Sequence, residues 1–333
     1  MSAFFFRLAL CGAIAGAGSA PAAPTVAAAP AAPALQVPDQ AKAESLVDVV
    51  YNTWRLSLIR GNESAWITCT PRSRRVKVRN MIVSQRGRFP SDFFAQPHEM
   101  PPLENFRYVG ALLGCGGRTL AATYLGRVQL GEKNSAADNA YVILMVHEEG
   151  RWRIDQTRFF NLSKLPEVRK RLAAKDINVL KEQDGFHPYD RLPSTPPSCP
   201  APELIGKVFV DAPGRNVKMT INGISLHEFD DERRADIISG GLRRGRNTIT
   251  YHITTDDAKS HPSLGIGLFV MPETPGNHPM CVFDHILDSS DPAHGGTFEF
   301  FILNDHIAAM NPKFKGTPPQ PFHAVPLKEK PKK

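Results

Sequence analysis

The most informative stretch of the sequence is YVILMVHEEGRWRIDQT, from Tyr141 to Thr157. Its first half is an apolar run, and its second half alternates Trp152 and Ile154 with charged residues. Between the two halves, Glu149-Gly150 supplies a polar residue and a glycine, as turns require. Apolar residues at every second position are typical of a half-buried strand. The stretch therefore predicts a β-hairpin, which requires an antiparallel sheet around it.

The chain around this hairpin predicts an α+β unit. From Ala43 to Ile59, apolar residues recur at three- and four-residue spacing, which indicates an amphipathic helix. Thr70-Pro71 has the cap residue and the first-turn proline of another helix. Strands are expected at residues 106–113, 119–130, 141–147 and 151–160. The expected buried face of the first helix consists of Leu46, Val49, Val50, Thr53, Trp54 and Ser57.

This order, with Gly61-Asn62 and Trp66 early and GRWRID late, resembles the NTF2-like cone superfamily over residues 44–172. The resemblance implies helices on a curved antiparallel sheet that surrounds a pocket. Members of the superfamily include small enzymes, ligand binders and inert scaffolds. The residues expected to line the pocket are Trp54, Tyr108, Tyr124 and Trp152. The alternative is that all four are core residues, as aromatic residues in half-buried strands usually are.

The second half of the chain is rich in strand patterns and predicts an all-β sandwich after the cone. VFVDAPGRNVKMTINGISL contains two strands and includes Asn222-Gly223, a turn dipeptide that admits positive φ. Over residues 207–303 the chain resembles galactose-binding-like β-sandwiches, where a motif of this kind is structural. The motif residues here are Asp236, Ile237, Leu242, Gly245, Asn247, Ile249, Tyr251 and Ile253.

Composition shifts predict how the chain is divided. Residues 1–20 combine Arg7, an apolar run and small residues, which predicts a signal peptide and export to the periplasm or medium. An Ala/Pro-rich linker is expected at 21–40, the α+β domain at 41–175, a Pro-rich linker at 176–203 and the sandwich at 204–310. Residues 311–333 have the proline and lysine content of a disordered tail. No later run is apolar enough to span a membrane.

Export would place Cys69, Cys115, Cys199 and Cys281 where disulfides persist. Four cysteines allow three pairings, and we expect Cys69 with Cys115 and Cys199 with Cys281. The alternative is four buried free thiols. No metal site is expected, because the cysteines lack zinc-ligand spacing and each Asp-His dipeptide offers at most one inward side chain.

Charge is distributed unevenly along the chain. Residues 41–175 carry a balance of +10 and residues 176–310 a balance of −8. The positive charge is densest in a predicted basic patch formed by Arg72, Arg74, Arg75, Lys77 and Arg79. The expected partner of this patch is the acidic second domain, which would dock against the first. The alternatives are a second copy, an envelope protein and an anionic envelope polymer. A solvated helix face is the alternative, and nucleic acid is a poor partner for an exported protein.

No catalytic signature stands out in the sequence, and no cofactor is expected. The function we expect is a non-catalytic ligand- or protein-binding component of the cell envelope, with a small apolar ligand in the cone and possible homodimers through the cone sheet. One alternative is an enzyme that uses the cone pocket for isomerase or hydrolase chemistry. The other is a glycan-binding protein that acts through the sandwich.

Overall fold

The structure, a computed structural model, describes residues 36–98, 100–128, 137–255, 263–287 and 295–323. The chain divides into two compact units. Unit 1 comprises the described residues up to Arg75 together with Phe94–Thr195, and unit 2 comprises Val76–Phe93 together with the described residues from Pro196 onward. The expected signal peptide and the linker up to residue 35 lie outside the described residues. Among the described helices, none has the length and apolarity to cross a membrane.

The chain up to Thr195 contains both helices and an antiparallel sheet, which confirms the α+β class. The helices are α1 (Gln40–Ile59), α2 (Glu63–Cys69), α3 (Arg72–Val83), α4 (Ser91–Phe94), α5 (Pro166–Ala173) and α6 (Asn178–Glu182). The strands are β1 (Phe106–Gly114), β2 (Thr119–Val128), β3 (Ala137–Glu148) and β4 (Arg151–Asn161), and they lie in the order β1-β2-β3-β4. The predicted hairpin is confirmed as β3 and β4, with positive φ at both Glu149 and Gly150 in its turn.

Helices contact both faces of this sheet. A single strand can contact both sets of helices, because its neighbouring residues point to opposite sides. On β3, the Tyr141 hydroxyl meets that of Tyr51 on α1 at 2.9 Å. The next residue, Val142, belongs to a buried cluster with Leu172 of α5 and Leu180 of α6. The apolar run of β3 is therefore buried on both sides, which explains why it does not alternate.

The expected buried face of α1 is wrong for most of its members. Val49, which lies on the predicted apolar face, is 66% exposed. The residues of α1 that are buried are Ala43, Val47, Tyr51, Trp54, Ser57 and Leu58. The helix is rotated relative to the prediction because Tyr51, an amphipathic residue that apolar periodicity overlooks, is directed at the sheet and is fully buried.

Unit 2 contains two sheets that share one hydrophobic core. Its elements are β5 (Gly206–Asp211), β6 (Arg215–Ile221), β7 (Ser225–Asp230), β8 (Arg233–Ile237), β9 (Gly245–Thr255), β10 (Leu264–Val270), β11 (Met280–Leu287), β12 (Gly295–Ile302), α7 (Asn304–Ala308) and β13 (Phe322–His323). The first sheet has the order β13-β11-β10-β5-β8, and the second has the order β12-β9-β6-β7. Val208 of β5 and Leu268 of β10 meet Met219 of β6 and Phe300 of β12 in that core.

Residues 76–93, which we expected in the first domain, group with unit 2. The Asn80 side chain, 3% exposed, donates to Pro197 O at 2.8 Å and accepts from Cys199 N at 3.0 Å. One turn further along α3, Ser84 Oγ accepts from Gly240 N at 2.8 Å. The second half of α3 is therefore hydrogen-bonded into unit 2 by side chains that satisfy the backbone of a distant segment.

The Pro-rich stretch expected as a linker is packed over much of its length. Leu180 of α6 is fully buried, and the Tyr189 hydroxyl donates to the buried Asp155 carboxylate of β4 at 2.5 Å. Thr119 Oγ1 donates to Tyr189 O at 2.7 Å. Proline content alone suggested a spacer here, but the apolar and aromatic residues between the prolines anchor the chain to unit 1.

The structure contradicts the predicted disulfides, because all four described cysteines are free. Cys199 Sγ lies 3.4 Å from Ser84 Oγ, and Cys281 Sγ donates to Phe283 O at 3.3 Å, so both thiols have other partners. Burial raises the pKa of Cys281 to about 11 and also raises that of Cys69. Cys115 lies in the turn that follows β1. Cys69 and Cys199 are buried and Cys115 and Cys281 are partly exposed, so the alternative of four buried free thiols holds for two of the four.

The expectation of a disordered tail from residue 311 is wrong for its first part. Phe322 and His323 form β13, which pairs in parallel with Phe283 and Asp284 of β11. The Phe322 ring stacks on that of Phe283 with centroids 6.0 Å apart. Composition missed this contact because a single aromatic residue is enough to dock a polar segment. Residues 324–333 lie outside the described part.

Candidate functional site

Two of the predicted pocket residues, Tyr108 and Tyr124, form a direct pair between β1 and β2 with ring centroids 5.3 Å apart. Tyr108 donates to Gln40 Oε1 at 2.7 Å, and Tyr124 donates to Asp48 Oδ1 at 3.1 Å. Gln40 and Asp48 are eight residues apart on α1 and so lie on one helix face. The sheet and the helix therefore satisfy both hydroxyls between them.

A second tyrosine pair continues this row. Besides its contact with Tyr141, the Tyr51 hydroxyl donates to Pro101 O at 2.8 Å, and the Tyr141 ring stacks on Phe159 at 4.2 Å. Burial raises the pKa of Tyr141 to about 12 and raises that of Tyr51 still further, because an ionised phenol is costly without water. Four tyrosine hydroxyls thus have protein partners and remain neutral.

The two tryptophans of the predicted pocket lie in different places. Trp54 is 8% exposed and its ring centroid is 5.8 Å from that of Tyr51. No acceptor among the described residues meets its indole N–H. The Trp152 ring packs on the His147 ring, with centroids 5.2 Å apart. His147 lies six residues beyond Tyr141 on β3, which corresponds to about 20 Å along a strand. The structure thus places Trp54 near the tyrosine row and Trp152 far from it.

The predicted basic patch is divided between the two units. Arg72, Arg74 and Arg75 belong to unit 1, whereas Lys77 and Arg79 belong to unit 2. The Arg79 guanidinium donates to Cys199 O at 2.9 Å and so helps to hold the segment that Asn80 binds. At least this member of the patch is used for the fold rather than for a partner.

A cluster that the sequence analysis missed lies in unit 2. Ser225 Oγ is 2.6 Å from His227 Nε2, and His227 Nδ1 is 3.4 Å from Asp236 Oδ2. Ser225 and His227 share one face of β7, and Asp236 lies on β8. The order of the three groups is that of a nucleophile, a base and an orienting carboxylate. A Ser-x-His spacing on a predicted strand is the signal that could have indicated it.

The contacts of this cluster indicate that it stabilises the fold. Ser225 is 1% exposed, and its Oγ also accepts from Ser239 N at 2.8 Å, so it has a proton acceptor and a donor within the protein. Burial acts to raise the pKa of Asp236, but hydrogen bonds from His227 and Arg234 outweigh burial and lower it. The three side chains connect β7, β8 and the turn at Ser239.

We expect His227→Ala to lower the free energy of unfolding by about 2 kcal/mol, because it leaves the buried Ser225 hydroxyl without its acceptor. Leu226→Ala is the matched control, since Leu226 is the neighbouring residue of β7 and is 66% exposed. Its expected change is below about 0.5 kcal/mol. Chemical denaturation of both variants gives the comparison. Equal denaturation midpoints for His227→Ala and the unmodified protein would show that the cluster does not stabilise the fold.

An open groove with a volume of about 610 Å³ lies beside α7 in unit 2. Asn277, Asn304 and Asn311 contribute amides, and Ile307 and Phe314 contribute apolar surface. The complete lining is Arg244, Asn277, Asn304, Ile307, Ala308, Asn311, Lys313 and Phe314. Within the described part of the chain, no protein acceptor meets the side-chain nitrogens of the three asparagines. The groove therefore offers unused amide donors beside a ring.

Neither a search for metal-binding clusters nor comparison with known proteins assigns a function to the chain. In the residues that the structure describes, no three His, Cys, Asp or Glu side chains are grouped so as to hold a metal ion. No family model matches the chain, and comparisons with curated proteins and with solved structures find no match.

Proposed function

We propose that this chain is an exported, non-catalytic binding component of the cell envelope, and that unit 2 takes a glycan in the groove beside α7. The observation that carries the proposal is the lining of that groove. Asparagine amides donate to and accept from hydroxyl groups, and Phe314 and Ile307 offer surfaces on which the C–H face of a sugar packs. Amides beside a ring are what a hydroxyl-rich ligand needs.

The other polar clusters support binding over catalysis in a different way. In the tyrosine row of unit 1, the hydroxyls meet one another or α1, and Ser225 is buried with both hydrogen-bonding roles filled. An enzyme must direct its base and its nucleophile at the substrate. These groups are directed at other protein groups, which favours the binding function over the alternative of an isomerase or hydrolase.

On this proposal, unit 1 is a scaffold of the NTF2-like kind and unit 2 is a β-sandwich of the galactose-binding-like kind. The β3–β4 hairpin supports the first resemblance, and the common core of the two sheets supports the second. A small apolar ligand near Trp54, with an acceptor for its free indole N–H, is compatible with the scaffold.

Asn277→Ala tests the groove with little risk to the fold, because no hydrogen bond to a described residue is lost. In native gels cast with a panel of soluble polysaccharides, we expect at least one polysaccharide to retard the unmodified protein. The variant should bind that polysaccharide about tenfold more weakly, since one hydrogen bond is worth about 1 kcal/mol or more. Lys218→Ala is the control, because that side chain is 63% exposed and distant in sequence from the groove residues. Retardation that is the same for Asn277→Ala and the unmodified protein would contradict the proposal.

A further inference from the structure

We infer that the sugar bound in this groove carries a carboxylate, so that the ligand is a uronic acid polymer. The inference rests on the proposed function, because it specifies the ligand of the same groove. Its first support is charge: among the eight lining residues, Arg244 and Lys313 are cationic and none is acidic. A lining of this composition favours an anionic sugar over a neutral one.

Arg244 is held by two residues, of which Glu203 lies outside the lining and Asn304 belongs to it. Glu203 Oε1 lies 3.3 Å from its Nε, and Glu203 Oε2 accepts from its backbone N–H at 3.0 Å. Asn304 Oδ1 accepts from Nη1 at 3.0 Å. Glu203 is not part of the lining, so it acts as a positioning residue. Nη2 has no acceptor among the described residues and is left for a ligand oxygen.

Lys313 is placed by a local turn. Asn311 Oδ1 accepts from Lys313 N at 2.9 Å, and Asn311 O accepts from Phe314 N at 2.9 Å. This turn fixes the backbone of Lys313 and Phe314, and both residues line the groove. Lys313 is exposed, and its ammonium meets no carboxylate of the described residues. The groove thus has two cationic side chains that can pair with a carboxylate, Arg244 and Lys313, and amides that can bind neighbouring hydroxyls.

Polygalacturonate and its methyl-esterified form test the inference, because they share a sugar backbone and differ in the carboxylate. We expect the unmodified protein to bind the acid form at least about tenfold more tightly than the ester, measured by calorimetry at low salt. Lys313→Ala and Arg244→Ala should each weaken binding of the acid form about tenfold and leave binding of the ester nearly unchanged. Lys315→Ala is the control, since Lys315 is exposed and outside the lining.

The outcomes separate this inference from the proposed function. Equal affinity for acid and ester, with loss of both on Asn277→Ala, would overturn the carboxylate and leave the glycan groove intact. A Lys315→Ala effect as large as that of Lys313→Ala would also overturn the inference, because it would show attraction by diffuse charge. Binding of neither polymer, while another polysaccharide binds through Asn277, overturns the inference alone. Binding of no polysaccharide at all overturns both.

Discussion

Replacing Asn80 with alanine is expected to lower the free energy of unfolding of unit 2 by about 3 kcal/mol. The substitution removes the amide that pairs with Pro197 O and Cys199 N. Cys199 N is buried and would then lack an acceptor, and a buried unsatisfied group costs about 1–3 kcal/mol. The bond to Pro197 O adds about 1 kcal/mol, because Pro197 is exposed and its carbonyl can bind water instead. The α3 segment from Val76 onward would also lose the contact that links it to the segment around Cys199.

Denaturant unfolding of Asn80→Ala, followed by the fluorescence or circular dichroism of the full chain, measures this effect. Lys77→Ala is the matched control, because Lys77 is an exposed residue of the same helix within unit 2. Asn80→Asp keeps an acceptor for Cys199 N and should fall between the two. A loss below about 1 kcal/mol for Asn80→Ala would mean that the helix and the 197–199 segment are held together by other contacts.

Local patterns were sufficient where a single segment determines its own structure. The β3–β4 hairpin follows from an apolar run, a Glu-Gly turn and an alternating strand, all within 17 consecutive residues. Its register, with Glu148 opposite Arg151, is fixed by the two-residue turn at Glu149 and Gly150. The strands of the first sheet were predictable for the same reason. The helix starts were not: α1 begins at Gln40 rather than at Ala43, and the hydroxyl of Thr70, expected to cap α3, has no partner among the described residues.

The assignment of residues 76–93 to unit 2 could not be predicted in this way. Asn80 and Cys199 are 119 residues apart, and no periodicity in either segment indicates the other. Helix α3 is continuous through Arg75 and Val76, where the two units divide, so its sequence shows no boundary. Proline and charge content suggested a division only after residue 175. Composition describes a segment by itself and does not report the partner to which the segment is bound.

In the candidate site, too, residues in local patterns could be predicted and residues brought together from distant segments could not. Trp54, Tyr108 and Tyr124 were predicted from strand and helix patterns, and the structure places them around one face of the sheet. The groove residues were missed, because Arg244 and Asn277 come from separate loops, Asn304 begins α7, and each is an ordinary surface residue. Lys313 and Phe314 were included in a tail that composition marked as disordered. The phenylalanines of that tail were the signal that it had something to bury.

Raising the pH is expected to unfold the protein in a narrow range above pH 10, together with ionisation of its tyrosines. Burial is the main cause that raises the pKa of each of the six tyrosines in the chain: Tyr51, Tyr108, Tyr124, Tyr141, Tyr189 and Tyr251. For Tyr124, the charge of Asp48 adds to this effect. In the unfolded chain the same groups titrate near pH 10.

Proton linkage gives the direction in which stability changes with pH. Below about pH 10 both states keep their phenol protons, so this contribution to stability is fully present. Above that pH the unfolded chain releases protons that the folded chain retains, and stability falls by about 1.4 kcal/mol per pH unit for each such tyrosine. Tyr51, Tyr124 and Tyr141 are at most 2% exposed, so unit 1 should lose about 4 kcal/mol per pH unit from these three. That slope is large compared with a typical stability of about 5–15 kcal/mol.

Tyrosinate absorbance and far-ultraviolet circular dichroism, recorded in the same alkaline titration, test this expectation. The two signals should change together in one steep transition, and Tyr124→Phe should make the loss of stability less steep by one proton. Val49→Ala is a suitable control, because Val49 is 66% exposed on α1, the helix that carries the Asp48 acceptor of Tyr124, and has no titrating group. Gradual ionisation near pH 10 with unchanged secondary structure would show that these hydroxyls are open to water, and that the tyrosine row is not closed against α1.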